Sequence, residues 1–315
     1  MAELPGYDDL PAAPEGGRSG WGVFGADDSV GLLNLLTSER VVEAARLVRK
    51  GTVFPLDAPI NAFSPPVASG RGVPRHRVLD LMEGQVFDDV YDNFYPQASS
   101  QWDSLGHVGY ASNAFYNGAT KDDVTTGRRN TIDYWARRGI AGRAVVLDMV
   151  RALADTGRPY DPGTNVAFSV DDLELARRRS GVEYQPGDIL IIHSGFAAWY
   201  VSQPFATRVE VSQTGRTLGI AHGEEMCRYL WDSHVAAVAS DTFGVEVLPA
   251  DHSTPLGFLH RMLIGQFGMA LGELWWTEDL AADCAADGVY EAFLTSAPLH
   301  APGGIGSPPN ALAIK

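Results

Sequence analysis

Three stretches of the chain are short apolar runs that end in polar residues: RAVVLDMV (143–150), DILIIHSG (188–195) and HVAAVASD (234–241). Rich in β-branched residues and too short for independent helices, they predict buried strands. Around them the apolar positions recur at helical spacing. In TSERVVEAARLVRKG, from Thr37, Val41, Ala45 and Val48 share a face, Ser38 stands where a cap belongs and Gly51 stops the run. SVDDLELARRRSG (169–181) opens on Ser169 and Asp172, a capping pair, and TLGIAHGEEMCRYLWDS (217–233) reads as a helix leading into the third strand. TVFPL reads as a short strand, and residues 57–76, dense in Pro and Gly, as a long loop over a cavity. Helices alternating with apolar strands predict an α/β fold with a covered sheet. Polar residues at strand ends, here Asp148, His193 and Asp241, are where sites of such folds collect.

Length and charge narrow this picture. The 315 residues suit one large α/β unit, and 45% hydrophobic residues supply an ample core. Residues 1–20, rich in Pro, Gly and acid, read as an extended N-terminal arm, and no later linker or repeat divides 21–315, which read as a single domain. With 39 acidic against 24 basic residues, the net charge of -15 repels phosphate backbones and anionic membranes, so no nucleic-acid partner is expected. Two cysteines, Cys227 and Cys284, make no disulfide framework and suit a reducing compartment. No secretion signal opens the chain and no apolar run is long enough to cross a bilayer, so a soluble, cytoplasmic protein is expected.

Candidate chemistry gathers in SSQWDSLGHVGY (99–110). Along a strand Gln97, Gln101, Asp103 and His107 point the same way, with Gly106 to bend the chain before the imidazole. A carboxylate and an imidazole converging on one point suit a divalent metal or a proton relay; a self-satisfied polar cluster is the alternative. His260 and Glu273 flank HRMLIGQFGMALGE. On one continuous helix they would point to opposite sides at about 100° per residue, so a break at Gly265 or Gly268 would put His260 on a helix and Glu273 on the segment after it. His193, at a strand end, is a further candidate; His76, His222, His252 and His300 read as surface residues. Trp102, Tyr95, Tyr110, Phe115 and Tyr116 crowd the motif, either lining a pocket for a flat substrate or closing the edge of the core. HSG at 193–195 lacks the G-x-S-x-G turn, neither cysteine has a nucleophile context, and no glycine-rich phosphate loop follows a strand.

Several stretches, in order, resemble the cyclase-family hydrolases, the group with bacterial kynurenine formamidase, isatin hydrolase and related lactone hydrolases. They are SQWDSLGHVGY with FYNG after it, GIAGRAVVLDMVR, QPGDILIIHSGF, VAAVASDTFGVEVLP, HRMLIGQFGMALGELW, LAADCAADGVYEAFLTSAPL and GSPPNALAI. The resemblance covers the chain from about Gly20 onward and implies a swivelling β/β/α fold, a mixed sheet covered by helices, assembled as a homo-oligomer (dimer or tetramer). It also implies a divalent metal near an H-x-x-x-H-x-D-x-x-x-H motif. On this chain the two leading histidines fall on Gln97 and Gln101, the aspartate on Asp103 and the trailing histidine on His107; the later histidine and glutamate fall on His260 and Glu273. Amides are poor zinc ligands beside imidazole. One metal, Zn²⁺ or Mn²⁺, is therefore expected on Asp103, His107, His260 and Glu273, with Gln97 and Gln101 orienting substrate or water. Trp102, Tyr95, Tyr110 and Tyr116 would contact the substrate, and His107, His260 or His193 would carry the proton. The expected activity is hydrolysis of an amide, lactam or lactone bond in a small cyclic or aromatic molecule. Metal-free ring closure, dehydration or isomerisation is the rival, and a non-catalytic binding protein a third reading.

Overall fold

The computed structural model describes residues 4–315. Its strands are β1 (Val53–Pro55), β2 (Arg75–Asp80), β3 (Phe87–Asp92), β4 (Gln101–Asp103), β5 (Ile140–Asp148), β6 (Ala167–Phe168), β7 (Ile189–His193), β8 (Gly219–Ile220), β9 (Ala237–Ser240), β10 (Ala270–Glu273), β11 (Glu291–Ser296), β12 (Gly306–Ser307) and β13 (Ala311–Ile314). The α-helices are α1 (Ser38–Ala45), α2 (Lys121–Thr125), α3 (Ile132–Arg138), α4 (Met149–Asp155), α5 (Val170–Ser180), α6 (Phe196–Ser202), α7 (Phe205–Thr214), α8 (Glu224–Asp232), α9 (Leu259–Leu263) and α10 (Glu278–Asp287). None is long and apolar enough to cross a membrane.

One nine-stranded sheet organises the molecule, in the order β1-β13-β11-β5-β7-β9-β10-β4-β12. Its centre, β5-β7-β9-β10, is parallel, and antiparallel strands extend it on both sides. A parallel strand covered on both faces reads as an unbroken apolar run rather than an alternating one. Every residue of β7, β9 and β10 is buried, whereas β11 alternates. The α/β expectation with a covered mixed sheet is met.

Element boundaries moved where tertiary contacts outweighed the local signal. α1 ends at Ala45 instead of running towards Gly51, its cap is Thr37 rather than Ser38, and its buried residue is Ala44. α5 carries the capping box of Ser169 and Asp172 in full. Residues 217–223 spend their backbone on β8 and on the loop 245–248, so α8 begins only at Glu224. Residues 4–20 form a 3₁₀ turn at Tyr7–Asp9 and an isolated bridge between Ala12 and Arg18, and they pack on the body: Tyr7 is fully buried edge-to-face on Phe267, its N–H donates to Asp232, and Trp231 Nε1 donates to Pro5 O. The Pro- and Gly-rich stretch after β1 is a loop as far as Pro74, tied down where Tyr200 and Ser212 donate to the carbonyls of Pro65 and Pro66.

Candidate functional site

β4 is only three residues long, but it sets the polarity of the site. Gln101 and Asp103 share one face, and the intervening Trp102 points to the other. β4 pairs antiparallel with β10, Gln101 opposite Glu273 and Asp103 opposite Leu271, so register alone brings the three polar groups to one face. Gln97 lies in the turn before β4 and folds back over Gly306, which pairs with Asp103. A Cβ on Gly306 would meet the Gln97 side chain at 2.6 Å, so glycine there makes room for it.

His260 comes from α9, and the break expected between it and Glu273 is present. Gly268, at φ +68°, turns the chain into β10 and presses on the Tyr116 ring, which a Cβ would strike at 2.5 Å. Asp103, His260 and Glu273 are thereby brought together, all buried, with ligand atoms within 4.8 Å of one another. His260 Nε2 is 3.1 Å from Glu273 Oε1, and its Nδ1 meets Glu246 Oε1 at 2.5 Å. His107 stands beside this triad rather than in it: its Nε2 is 3.7 Å from Asp103 Oδ1, and its Nδ1 faces Gln97 Nε2 at 2.8 Å.

Both amides are turned to the acids. Gln97 Nε2 donates to Asp103 Oδ1 at 2.7 Å, and Gln101 Nε2 to Glu273 Oε2 at 2.6 Å. Two N–H donors thus offset carboxylate charge that would otherwise be costly in so buried a place. Burial opposes a charge on His260, but Glu246 and Glu273 outweigh it and push its pKa up to about 10. Burial likewise works against ionised Glu246, yet His222 and His260 hold its carboxyl below the usual range.

Two residues of the site escaped the sequence reading. Glu246, 1% exposed, accepts from the backbone N–H of Leu259 at 2.6 Å and of His260 at 3.0 Å as well as from the ring. His222 Nε2 lies 2.9 Å from its other oxygen, at ion-pair distance but off hydrogen-bond angle. Arg71, half-buried, reaches in from the loop after β1, donating to Gln97 O and, at 3.4 Å, to Gln101 Oε1, with its guanidinium over Phe243. No short motif marks either residue. Glu246 lies within the stretch VAAVASDTFGVEVLP, and Arg71 is one cation in a loop of prolines and glycines.

The aromatics separate into other places. Trp102 is fully buried on the opposite face of β4, edge-on to Trp135 and Trp275, with Nε1 bonded to Ser296 Oγ. Strand alternation therefore puts it in the core. Tyr116 is fully buried as well, its hydroxyl on Asp28, and Tyr110 is 2% exposed beneath Arg261. Tyr95, exposed, borders a separate groove with Ile60, Pro74 and Phe94. His193 ends β7, two strands from β10, with Nδ1 on Thr277 Oγ1 at 2.8 Å and Asp241 at 3.8 Å.

The triad fits a divalent cation by its donor chemistry. Two carboxylates and one imidazole nitrogen converge, and Glu246 on Nδ1 leaves Nε2 as the nitrogen that faces the acids. A bound cation there would neutralise carboxylates that now rely on amide donors and an imidazolium.

No curated protein sequence matches the chain. The family described as "Putative cyclase" matches residues 53–247. A crystal structure of a novel cyclase is 32% identical, with a TM-score of 0.83 over 94% of this chain and 99% of that one. Isatin hydrolase A from Ralstonia solanacearum, 17% identical, shares the fold with a TM-score of 0.58 over 89% of this chain and 98% of its own. Isatin hydrolase A from Labrenzia aggregata, 15% identical, does so with a TM-score of 0.58 over 87% and 97%. With its sheet, its buried Asp103–His260–Glu273 triad and these matches, the chain belongs to the putative cyclase family.

Proposed function

We propose that the protein is a metal-dependent hydrolase that opens an amide, lactam or lactone bond in a small cyclic or aromatic molecule, using one Zn²⁺ or Mn²⁺ ion. The reading rests on the buried convergence of Asp103, His260 and Glu273, and structural neighbours named isatin hydrolases support it. When bound, the ion would supply an acidified water and a Lewis acid for the scissile carbonyl. The chain's own groups supply the rest. Gln97 Nε2 at Nδ1 of His107 sets the tautomer that carries the proton on Nε2, so His107 presents an N–H that can hydrogen-bond charge developing on the leaving nitrogen or oxygen. Arg71, beside Gln101, offers a guanidinium for a polar group of the substrate, and His260 is held in place by Glu246. Gln97 and Gln101 act on the carboxylates, fixing Asp103 and Glu273.

The test is metal analysis of protein purified without added metal, then a screen of formamides, lactams and lactones with and without chelator. About one equivalent of metal is expected, lost together with turnover in Asp103→Ala. A second reading, acid–base catalysis without metal, is favoured by one observation: Gln97 and Gln101 already donate to Asp103 and Glu273, so both acids have hydrogen-bond partners within the chain. Less than about half an equivalent of metal, with turnover undiminished by chelation, would replace the first reading by the second.

A further inference from the structure

Arg71 is held through one nitrogen. Its Nη1 donates to Gln97 O and Gln101 Oε1, and the Phe243 ring lies against the guanidinium with its centroid 5.3 Å from Cζ. None of these partners is acidic, and Nε and Nη2 have no hydrogen-bond partner among the described residues. Those two nitrogens form the side-on fork that matches the two oxygens of a carboxylate. A guanidinium stays charged at any pH a folded protein meets, so one left without an acid attracts an anion.

Its position ties that anion to the substrate. Gln101 Oε1 faces Arg71 at 3.4 Å while its Nε2 donates to Glu273 Oε2 at 2.6 Å, so a single side-chain amide separates the guanidinium from the triad. Arg71 also rests on the carbonyl of Gln97, whose side chain holds Asp103 and His107. Asp103, Gln101, His260 and Glu273 are buried, whereas Arg71 and the His107 ring, 24% exposed, keep access to solvent. A molecule entering the site from solvent can therefore reach the guanidinium.

Charge selects the kind of anion. Asp103 and Glu273 match the divalent ion of the proposed function, which leaves the single positive charge of Arg71 for a monoanion. A dianionic phosphoryl group would stay half unpaired beside two acids, in a protein of net charge -15. A carboxylate fits both the charge and the fork.

We propose that Arg71 determines specificity: the substrate carries a carboxylate beside the bond to be opened, and the Nε and Nη2 edge of Arg71 takes it. This rests on the triad as the reacting centre, but the carboxylate site and the hydrolysis can fail separately.

Calorimetric binding to the protein as purified tests it, with turnover measured alongside. The probes are pairs of aromatic formamides, lactams and lactones that differ only in a ring carboxylate or its neutral carboxamide, such as 2-formamidobenzoate and 2-formamidobenzamide. Carboxylates are expected to bind at least about ten-fold more tightly than their carboxamides. Arg71→Met should bring that ratio to about one, and Arg71→Lys, which keeps the charge without the fork, should leave it between the two. A purely structural role would lower the melting temperature of Arg71→Met and leave the ratio as in wild type. Carboxylates that bind no better than carboxamides, no binding by either member of any pair, or an unchanged ratio in Arg71→Met would each overturn the proposal. The expected ratio with no bond opened would refute the hydrolase reading while the carboxylate site stood, and equal turnover of both members of each pair would do the reverse.

Discussion

Removing the Glu246 carboxylate is the perturbation that most directly probes how the site is held. Three donors converge on it, the Leu259 and His260 backbone N–H groups and His260 Nδ1, with His222 beside them at ion-pair distance. Glu246→Ala leaves all three buried without partners, since Leu259 is fully buried and His260 is 4% exposed. At about 1–3 kcal/mol for each orphaned buried donor, and allowing for partial rescue by water entering the cavity, the expected loss of stability is about 3–5 kcal/mol. Glu246→Gln separates stability from chemistry. The two backbone donors use different carboxylate oxygens, so the amide keeps one of them and turns its NH2 to the other, and the loss should fall to about 2–3 kcal/mol, at the scale of one orphaned buried donor. His260 nevertheless loses the carboxylate that fixes its tautomer, and metal affinity should fall about 10–100-fold. Chemical denaturation gives the first quantity and metal titration against a competing chelator the second. A Glu246→Gln protein with wild-type metal affinity would refute the claim that this carboxylate orients the imidazole.

Three further outcomes can be checked. Gln97→His with Gln101→His should raise bound metal from about one to about two equivalents, measured by elemental analysis, because imidazole nitrogens replace amides that ligate poorly; an unchanged ratio would show that the amides are not what limits the site. Burial raises Asp188 to about 6 from its usual 3.8, so the fold favours its neutral form: that contribution is fully present below about pH 4 and is lost as pH rises through about 6. Asp188→Asn should therefore flatten the stability curve between those values and stabilise the protein at pH 7.5 by on the order of 2–3 kcal/mol, read by thermal denaturation across pH. Trp102→Ala should cost about 3–5 kcal/mol through the cavity left between Trp135, Trp275 and Ser296, whereas a residue that only lined a substrate pocket would affect binding more than folding.

The wide helix-covered strands were legible because burial on both faces writes itself as an unbroken apolar run, as in ILIIH of β7 and AVAS of β9. α5 was legible because its capping box is local. The break between His260 and Glu273 was legible for a similar reason: a helix cannot aim both at one point, and glycine lay between them. Other features depended on partners far along the chain. The segment before α8 has helical spacing, yet its backbone is claimed by β8 and by residues 245–248. Trp102 sits in a polar, aromatic-rich motif, and only the pairing of β4 with β10 shows that it faces the core while its neighbours face the site.

Chemistry divides along the same line. The residue types, an acid and an imidazole in one motif, a second pair beyond a glycine break, and two amides where family members carry histidines, were determined by the sequence and can be named from it. That Asp103, His260 and Glu273 close on one another, that His107 stands aside, and that Glu246 and Arg71 belong to the site were decided by the tertiary structure. Sequence carries local periodicity and identity, whereas convergence of side chains more than a hundred residues apart depends on strand register and on loops that bear no periodic signal of their own.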